Sequence, residues 1–196
     1  MTRQAVCISH ATGADGAAVG RAVAERLGFQ YVDDEVIAEA AEWAEIDPAL
    51  VADAERRKPL AARLLGHMTE GGVSQQLASG QWARTAPTDA DLRVLITEVL
   101  RSFADKGSVV IVSHAASFAL TGREALRVLV TASDETRASR VPDGAKQVRK
   151  EDGNRADYLK RFYGVERELP THFDLVINTD VLTPEKAADI IVAAAG

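Results

Sequence analysis

Apolar residues recur along this chain in two rhythms. Short dense runs at Ala5 to Ile8, Phe29 to Val32, Ser108 to Val112, Ala125 to Val130 and Phe173 to Ile177 have the length and composition of buried strands. Between them, apolar positions return every three or four residues, the spacing of one helix face. Ala17, Val19, Val23, Ala24 and Leu27 form the first such face, and Gly28 is placed to end that helix in a left-handed conformation. Asp33 and Asp34 cap a second helix from about Glu35 to Trp43. Asp47-Pro48 opens a third, broken near Pro59, with Leu50, Val51, Ala54, Leu60, Ala61, Leu64 and Leu65 as its apolar positions. Leu92, Leu95, Ile96, Val99, Leu100 and Phe103 define a helix over 89–105, which Gly107 ends. A further helix starts at Ser133 or Asp134 as cap, and Thr183-Pro184-Glu185 leads into a terminal helix. Five strands separated by helices predict an α/β fold with a parallel sheet covered on both faces by right-handed crossovers.

Composition narrows the class. A chain of 196 residues, 46% hydrophobic, supports one sizeable core, so a single domain over 1–196 is expected. The stretch from Gly66 to Thr88 is rich in glycine, serine and glutamine, with Trp82 its main apolar residue, and reads as a loop or small insertion over the sheet. A net charge of −6 argues against nucleic acid as the main partner. No apolar run reaches the ~18 residues of a membrane span, and the N-terminus has no secretory h-region, so a soluble, cytoplasmic protein without a membrane partner is expected. The single cysteine, Cys7, suits a reducing compartment and reads as a small core residue rather than a nucleophile.

Chemistry concentrates where the first strand meets the first helix. Gly13-Ala14-Asp15-Gly16 is a small-residue turn, and the helix beyond it presents unpaired N–H groups and a partial positive charge, which together suit a phosphate. Such turns also occur in α/β proteins that bind no anion. The strict phosphate-loop pattern, G-x-x-x-x-G-K-[ST], is not met, because Gly16 occupies the lysine position and Ala18 the position of the metal-binding hydroxyl. Asp34 either caps its helix or faces a substrate at the carboxyl end of a strand. Arg63, His67 and Arg84 are either solvated or meet an anionic substrate, and His114, just after the third core strand, is either structural or part of a site. The charged stretch from Asp143 to Glu168 is either a solvated helical surface or a lid that closes arginines over phosphates.

Taken in order, these pieces resemble the P-loop nucleoside monophosphate kinases, and most closely the cytidylate kinase-like family. Gly13 to Arg21 is similar to that family's divergent phosphate loop, G-S-G-G-x-x-I-G-R, which also lacks the lysine. Phe29 to Ile37 resembles its next strand and acidic helix start, and Val128 to Ser133 with Arg137 and Arg140 resembles the strand and arginine-bearing helix before the lid. Asp152 to Tyr158 echoes the lid, and Phe173 to Thr179 the closing D-x-V-I-N-T. Where relatives carry Gly-Arg after the third core strand, this chain has Ser113-His114-Ala115.

The resemblance implies a three-layer P-loop kinase fold with a five-stranded parallel sheet, a substrate-side helical insertion over about 45–88 and a lid over about 142–168. It implies transfer of a phosphoryl group from ATP, with Mg2+, to CMP or dCMP, a small-molecule nucleotide. The backbone of Gly13, Ala14, Asp15, Gly16, Ala17 and Ala18 is then expected to cradle the donor phosphates. Arg137, Arg140 and Arg155 are expected to be catalytic, with Asp34, Arg63, Arg84 and His114 on the substrate side. Two alternatives stand beside this kinase: a nucleotide-binding regulatory protein or pseudokinase of the same fold, and a kinase of a different small acceptor.

Overall fold

A computed structural model of the chain describes residues 3–33, 89–113 and 116–196. The helices expected within 35–67, the segment 66–88 and the insertion over 45–88 lie outside the described residues. So do Asp34, Arg63, His67, Arg84 and His114.

Five parallel strands form one sheet in the order β2-β3-β1-β4-β5. They are β1 (Ala5–His10), β2 (Gln30–Val32), β3 (Val109–Val112), β4 (Ala125–Thr131) and β5 (Leu175–Asn178). Among the described residues the helices are α1 (Gly16–Leu27), α2 (Asp89–Lys106), α3 (Ala116–Ala119), α4 (Asp134–Ser139), α5 (Gly144–Tyr163) and α6 (Pro184–Ala195). The central strand β1 runs beside β3 on one side, with Ala5 opposite Val109, and beside β4 on the other, with Ala5 opposite Ala125. Strand order therefore reverses at β1, and the crevice beyond its carboxyl end is where open α/β sheets take ligands.

The period of two along β1 feeds both layers. Val6 and Ile8 pack with Val19 and Val23 of α1 and Ile191 of α6, while Ala5 and Cys7 pack with Ile96 and Leu100 of α2, Ala116 of α3 and Leu159 of α5. Both sheet faces are covered, which accounts for the unbroken apolar runs of β1 and β3. Cys7 is fully buried, and burial pushes its thiol up to about 12, in keeping with a core role.

The predicted helix ends are met by specific groups. Gly28 has φ 65°, and its N–H reaches the Ala24 and Glu25 carbonyls. Ser133, rather than Asp134, caps α4, its Oγ accepting from the Thr136 N–H. Thr183 caps α6 by accepting from the Lys186 N–H. The last strand starts at Leu175, two residues later than expected; a 3-10 turn at Pro170–His172 precedes it, and the Asp174 carboxylate accepts from the Arg127 guanidinium at 2.9 Å. Much of the stretch expected as a lid is the continuous helix α5. Its buried Val148, Tyr158, Leu159 and Phe162 dock it to the rest of the fold, and its remaining surface is charged.

Candidate active site

The carboxyl end of β1 leads straight into the turn before α1. Ala11 donates its N–H to the Val130 carbonyl of β4 at 3.1 Å, so the chain stays in register with the sheet for one residue past the strand. Two left-handed residues then reverse it, Gly13 at φ 81° and Asp15 at φ 61°. Gly13 is required twice over: its φ favours glycine, and a Cβ there would lie 2.5 Å from the Arg137 carbonyl oxygen. Asp15 stands at the N-cap position without capping, and the first intrahelical bond of α1 is from the Val19 N–H to the Asp15 carbonyl at 3.0 Å. Among the described residues, none accepts from the N–H groups of Gly16, Ala17 or Ala18. Those donors and the positive end of the α1 dipole face the crevice beyond β1.

Three arginines surround this turn, each held by carboxylate. Arg140 lies 3.1 Å from Asp15 Oδ2, and donates to the Thr179 Oγ1 at 3.1 Å, the Thr179 carbonyl at 2.8 Å and the Gly13 carbonyl at 3.4 Å. The Asp15 charge is thereby drawn toward Arg140. Arg137, only 6% exposed, forks onto both oxygens of Asp152 at 2.7 Å and also reaches Asp134 at 2.7 Å, which raises its already high pKa and ties α4 to α5. Arg155 reaches in from α5, its Nη1 donating to the His10 carbonyl and its Nε to Glu168 Oε2 at 2.6 Å.

Beneath the turn sits His10. A Cβ on Gly16 would stand 2.2 Å from both Cβ and Cγ of His10, so the imidazole fills the space in which a side chain at position 16 would begin. Its Nδ1 lies 3.2 Å from the Ala11 carbonyl oxygen, to which a neutral ring donates. Burial, first, and the nearby Arg155 charge lower its pKa, while Asp33 and Glu168 act in the opposite direction.

A family model described as the cytidylate kinase-like family matches residues 5–181. The chain belongs to that family. Among curated proteins no sequence matches it significantly. Solved structures of similar fold include an uncharacterized protein from Eubacterium ventriosum, with TM-score 0.66, 15% identity and 97% of each chain covered. They also include shikimate kinase from Bacteroides thetaiotaomicron, with TM-score 0.54, 14% identity and 97% of each chain covered. Shikimate kinase from Acinetobacter baumannii in complex with shikimate has TM-score 0.52 and 18% identity, covering 98% of this chain and 93% of that one. The fold is thus the P-loop kinase α/β fold, and the turn between β1 and α1 is the stretch expected to be its phosphate loop.

Of the family-implied site, the described residues bring together Gly13 to Ala18, Arg137, Arg140 and Arg155. Four residues that carry the geometry had no role from sequence alone. Thr179, 1% exposed, bolts the loop through its hydroxyl to the Ala14 carbonyl at 3.1 Å, and its place in the closing motif was the available signal. Its neighbour Asp180 accepts from the Ser133 N–H at 2.8 Å and Oγ at 3.0 Å, bonds that hold its carboxyl down at about 2. His10 and Glu168 carried no signal, since both meet Arg155, which reaches the His10 carbonyl across 145 positions and Glu168 across 13. Among the described residues no cluster of three or more His, Cys, Asp or Glu side chains is placed to hold a metal ion. Ala17 and Ala18 offer no oxygen ligand from their side chains, and Asp15 is engaged by Arg140. The described residues therefore do not by themselves form a Mg2+ site. No described helix is long and apolar enough to cross a membrane.

Proposed function

We propose that this protein transfers the γ-phosphoryl group of ATP to a small acceptor, with CMP or dCMP the first candidates. The observation that carries this reading is the loop itself: three helix-terminal N–H groups with no acceptor among the described residues, at the carboxyl end of the central strand, with two arginines in contact with the loop or the strand end before it. Backbone donors so placed suit the donor phosphates, and phosphoryl transfer asks a protein mainly for positioning and for neutralising charge. In this reading an acceptor oxygen forms the new bond to the γ-phosphorus as the bond to the β–γ bridging oxygen breaks and ADP leaves. Arg155 and Arg140 neutralise the transferring group, and Arg137 holds the two helices that present them. Asp34, Arg63, Arg84 and His114 remain the proposed acceptor side, and a reducing cytoplasm the proposed compartment. Mg2+ would accompany ATP mainly on its phosphates, as that ion commonly does.

A specific observation favours a second reading. All three arginines are already engaged by Asp15, Asp134, Asp152 and Glu168, and the loop has neither lysine nor side-chain hydroxyl at the two expected positions. That arrangement fits a nucleotide-binding protein that turns over poorly. A third option is a kinase of a hydroxyl-bearing acceptor, the class to which the shikimate of the similar fold belongs.

The deciding assay is ATP-dependent ADP release with Mg2+ across CMP, dCMP, UMP, AMP, GMP and shikimate, with Arg155→Ala as control. Release that requires CMP or dCMP and is lost in the variant supports the first reading. Release with shikimate alone identifies the third. ATP binding by calorimetry without ADP release above the variant refutes the kinase and leaves the second.

A further inference from the structure

Asp15 stands where a helix cap is expected and does not act as one. A carboxylate at that position ordinarily accepts from an N–H two or three residues on, and would then fill the space an anion needs. Here the backbone is left-handed, φ 61° and ψ 22°, and the Asp15 side chain makes no capping bond. The N–H groups of Gly16, Ala17 and Ala18 stay without an acceptor among the described residues, and the carboxylate lies against Arg140 instead, its Oδ2 3.1 Å from Nη1. Arg140 does not need this contact to stay at the turn. Its Nη1 also donates to Thr179 Oγ1 at 3.1 Å and to the Gly13 carbonyl at 3.4 Å, and its Nη2 to the Thr179 carbonyl at 2.8 Å. Thr179 is itself buried and bonded to the Ala14 carbonyl. Neutral acceptors thus fix the place of the guanidinium, and Asp15 alters chiefly how much of its charge is left for a ligand.

We propose that Asp15 is a specificity-determining residue of the donor site: its carboxylate cancels the Arg140 charge, so the turn holds a polyphosphate only as far as that anion outcompetes Asp15 for the guanidinium. The inference rests on the ATP-dependent reading above and names the side chain that sets its donor affinity. One carboxylate acts in two ways, repelling incoming phosphate oxygens and keeping Arg140 from pairing with them. Both effects grow with the charge of the ligand, so a triphosphate is penalised and an uncharged nucleoside is not. The Asp15 and Arg140 side chains are 35% and 28% exposed, so salt reaches the pair and screens both effects.

The test is calorimetry of a non-hydrolysable ATP analogue, and of adenosine, with the full-length protein and with Asp15→Asn, which keeps the shape of the side chain and tolerates a left-handed backbone as well as aspartate does. Binding of the analogue should tighten by about tenfold or more at low salt, the gain should shrink as salt rises, and adenosine should show none. Asp105→Asn removes the same charge from the opposite edge of the sheet, where Asp105 pairs with Arg123, and should change nothing. Unchanged or weaker binding in Asp15→Asn, a gain that salt leaves intact, or an equal gain for adenosine or in Asp105→Asn overturns the role of Asp15 while leaving ATP binding in place. No binding by the natural protein or either variant overturns the ATP-dependent reading and this inference with it. Asp15→Gly, equally at home at this φ, repeats the comparison should the asparagine variant fail to fold. Failure of both to fold would show that Asp15 is needed to build the turn, and would overturn the proposal too.

Discussion

Replacing Thr179 by valine tests whether the closing motif of the chain serves mainly to hold the phosphate loop. Valine has the shape of threonine and lacks its hydroxyl. Thr179 Oγ1 lies 3.1 Å from the Ala14 carbonyl and 3.3 Å from the Thr131 carbonyl, and accepts from Arg140 Nη1 at 3.1 Å. The Thr131 carbonyl keeps its bond from the Thr179 N–H at 2.8 Å, and Arg140 keeps the Thr179 carbonyl and Asp15. Ala14, fully buried, loses the one bond its carbonyl accepts among the described residues. An orphaned buried carbonyl costs about 1–3 kcal/mol, and loss of a bond from a charged donor adds to it. The extra buried methyl group returns about 0.8 kcal/mol. The net expectation is a loss of about 2 kcal/mol, which for a domain of this size lowers the Tm by about 4–8 °C. Thermal and urea unfolding followed by circular dichroism read this directly, with Thr179→Ser as the control that keeps the hydroxyl. ATP binding should weaken in the valine variant and persist in the serine one. A valine variant within about 0.5 kcal/mol of the natural protein would refute the argument.

Other perturbations address the same loop from different sides. Gly13→Ala combines a left-handed φ of 81° with a Cβ 2.5 Å from the Arg137 carbonyl oxygen. Costs of about 1–2 kcal/mol for the backbone and about 1–3 kcal/mol for overpacking should lower the urea midpoint sharply, and an unchanged midpoint would contradict the packing. Glu168→Ala removes from Arg155, whose side chain is 10% exposed, the carboxylate that lies 2.6 Å from its Nε. A loss of about 3–5 kcal/mol is expected, with a clear coupling energy in a double-mutant cycle with Arg155→Met; independent effects of the two changes would show that the pair is not an energetic unit. In acid the sign follows from His10. Its folded pKa lies below the unfolded 6.5, so the unfolded chain binds the extra proton first. That contribution to stability is complete above about pH 6.5 and is lost as pH falls below it. Asp174, held low chiefly by Arg127, adds a second loss below its unfolded 3.8. Urea midpoints from pH 8 to 5 should therefore fall in the natural protein and stay flatter in His10→Gln.

The order of strands, turn and helices could be read along the chain because each rests on near neighbours. The run Val109 to Val112 needs only a buried strand to explain it, and Gly28 only the end of a helix. The same holds for the phosphate loop, where Gly13 and the apolar face from Val19 to Leu27 announce a turn and a helix within about four turns of chain. The family resemblance added the three arginines by type and spacing. What spacing could not supply was their state. Arg155 meets the His10 carbonyl across 145 positions and Arg140 meets Thr179 across 39, so their partners follow from how α4 and α5 pack beside the sheet. Asp15, read along the chain, is a carboxylate in an anion site; in the fold it is drawn toward Arg140. Likewise the glycine at position 16 reads as a missing lysine until β1 and α1 are brought together and His10 is found in that space. Sequence by itself determined which elements form and in what order, since helix and strand periodicity are local. Only the tertiary structure decided which charges are paired and what lies under the loop, because burial and Coulomb interaction depend on distance in space.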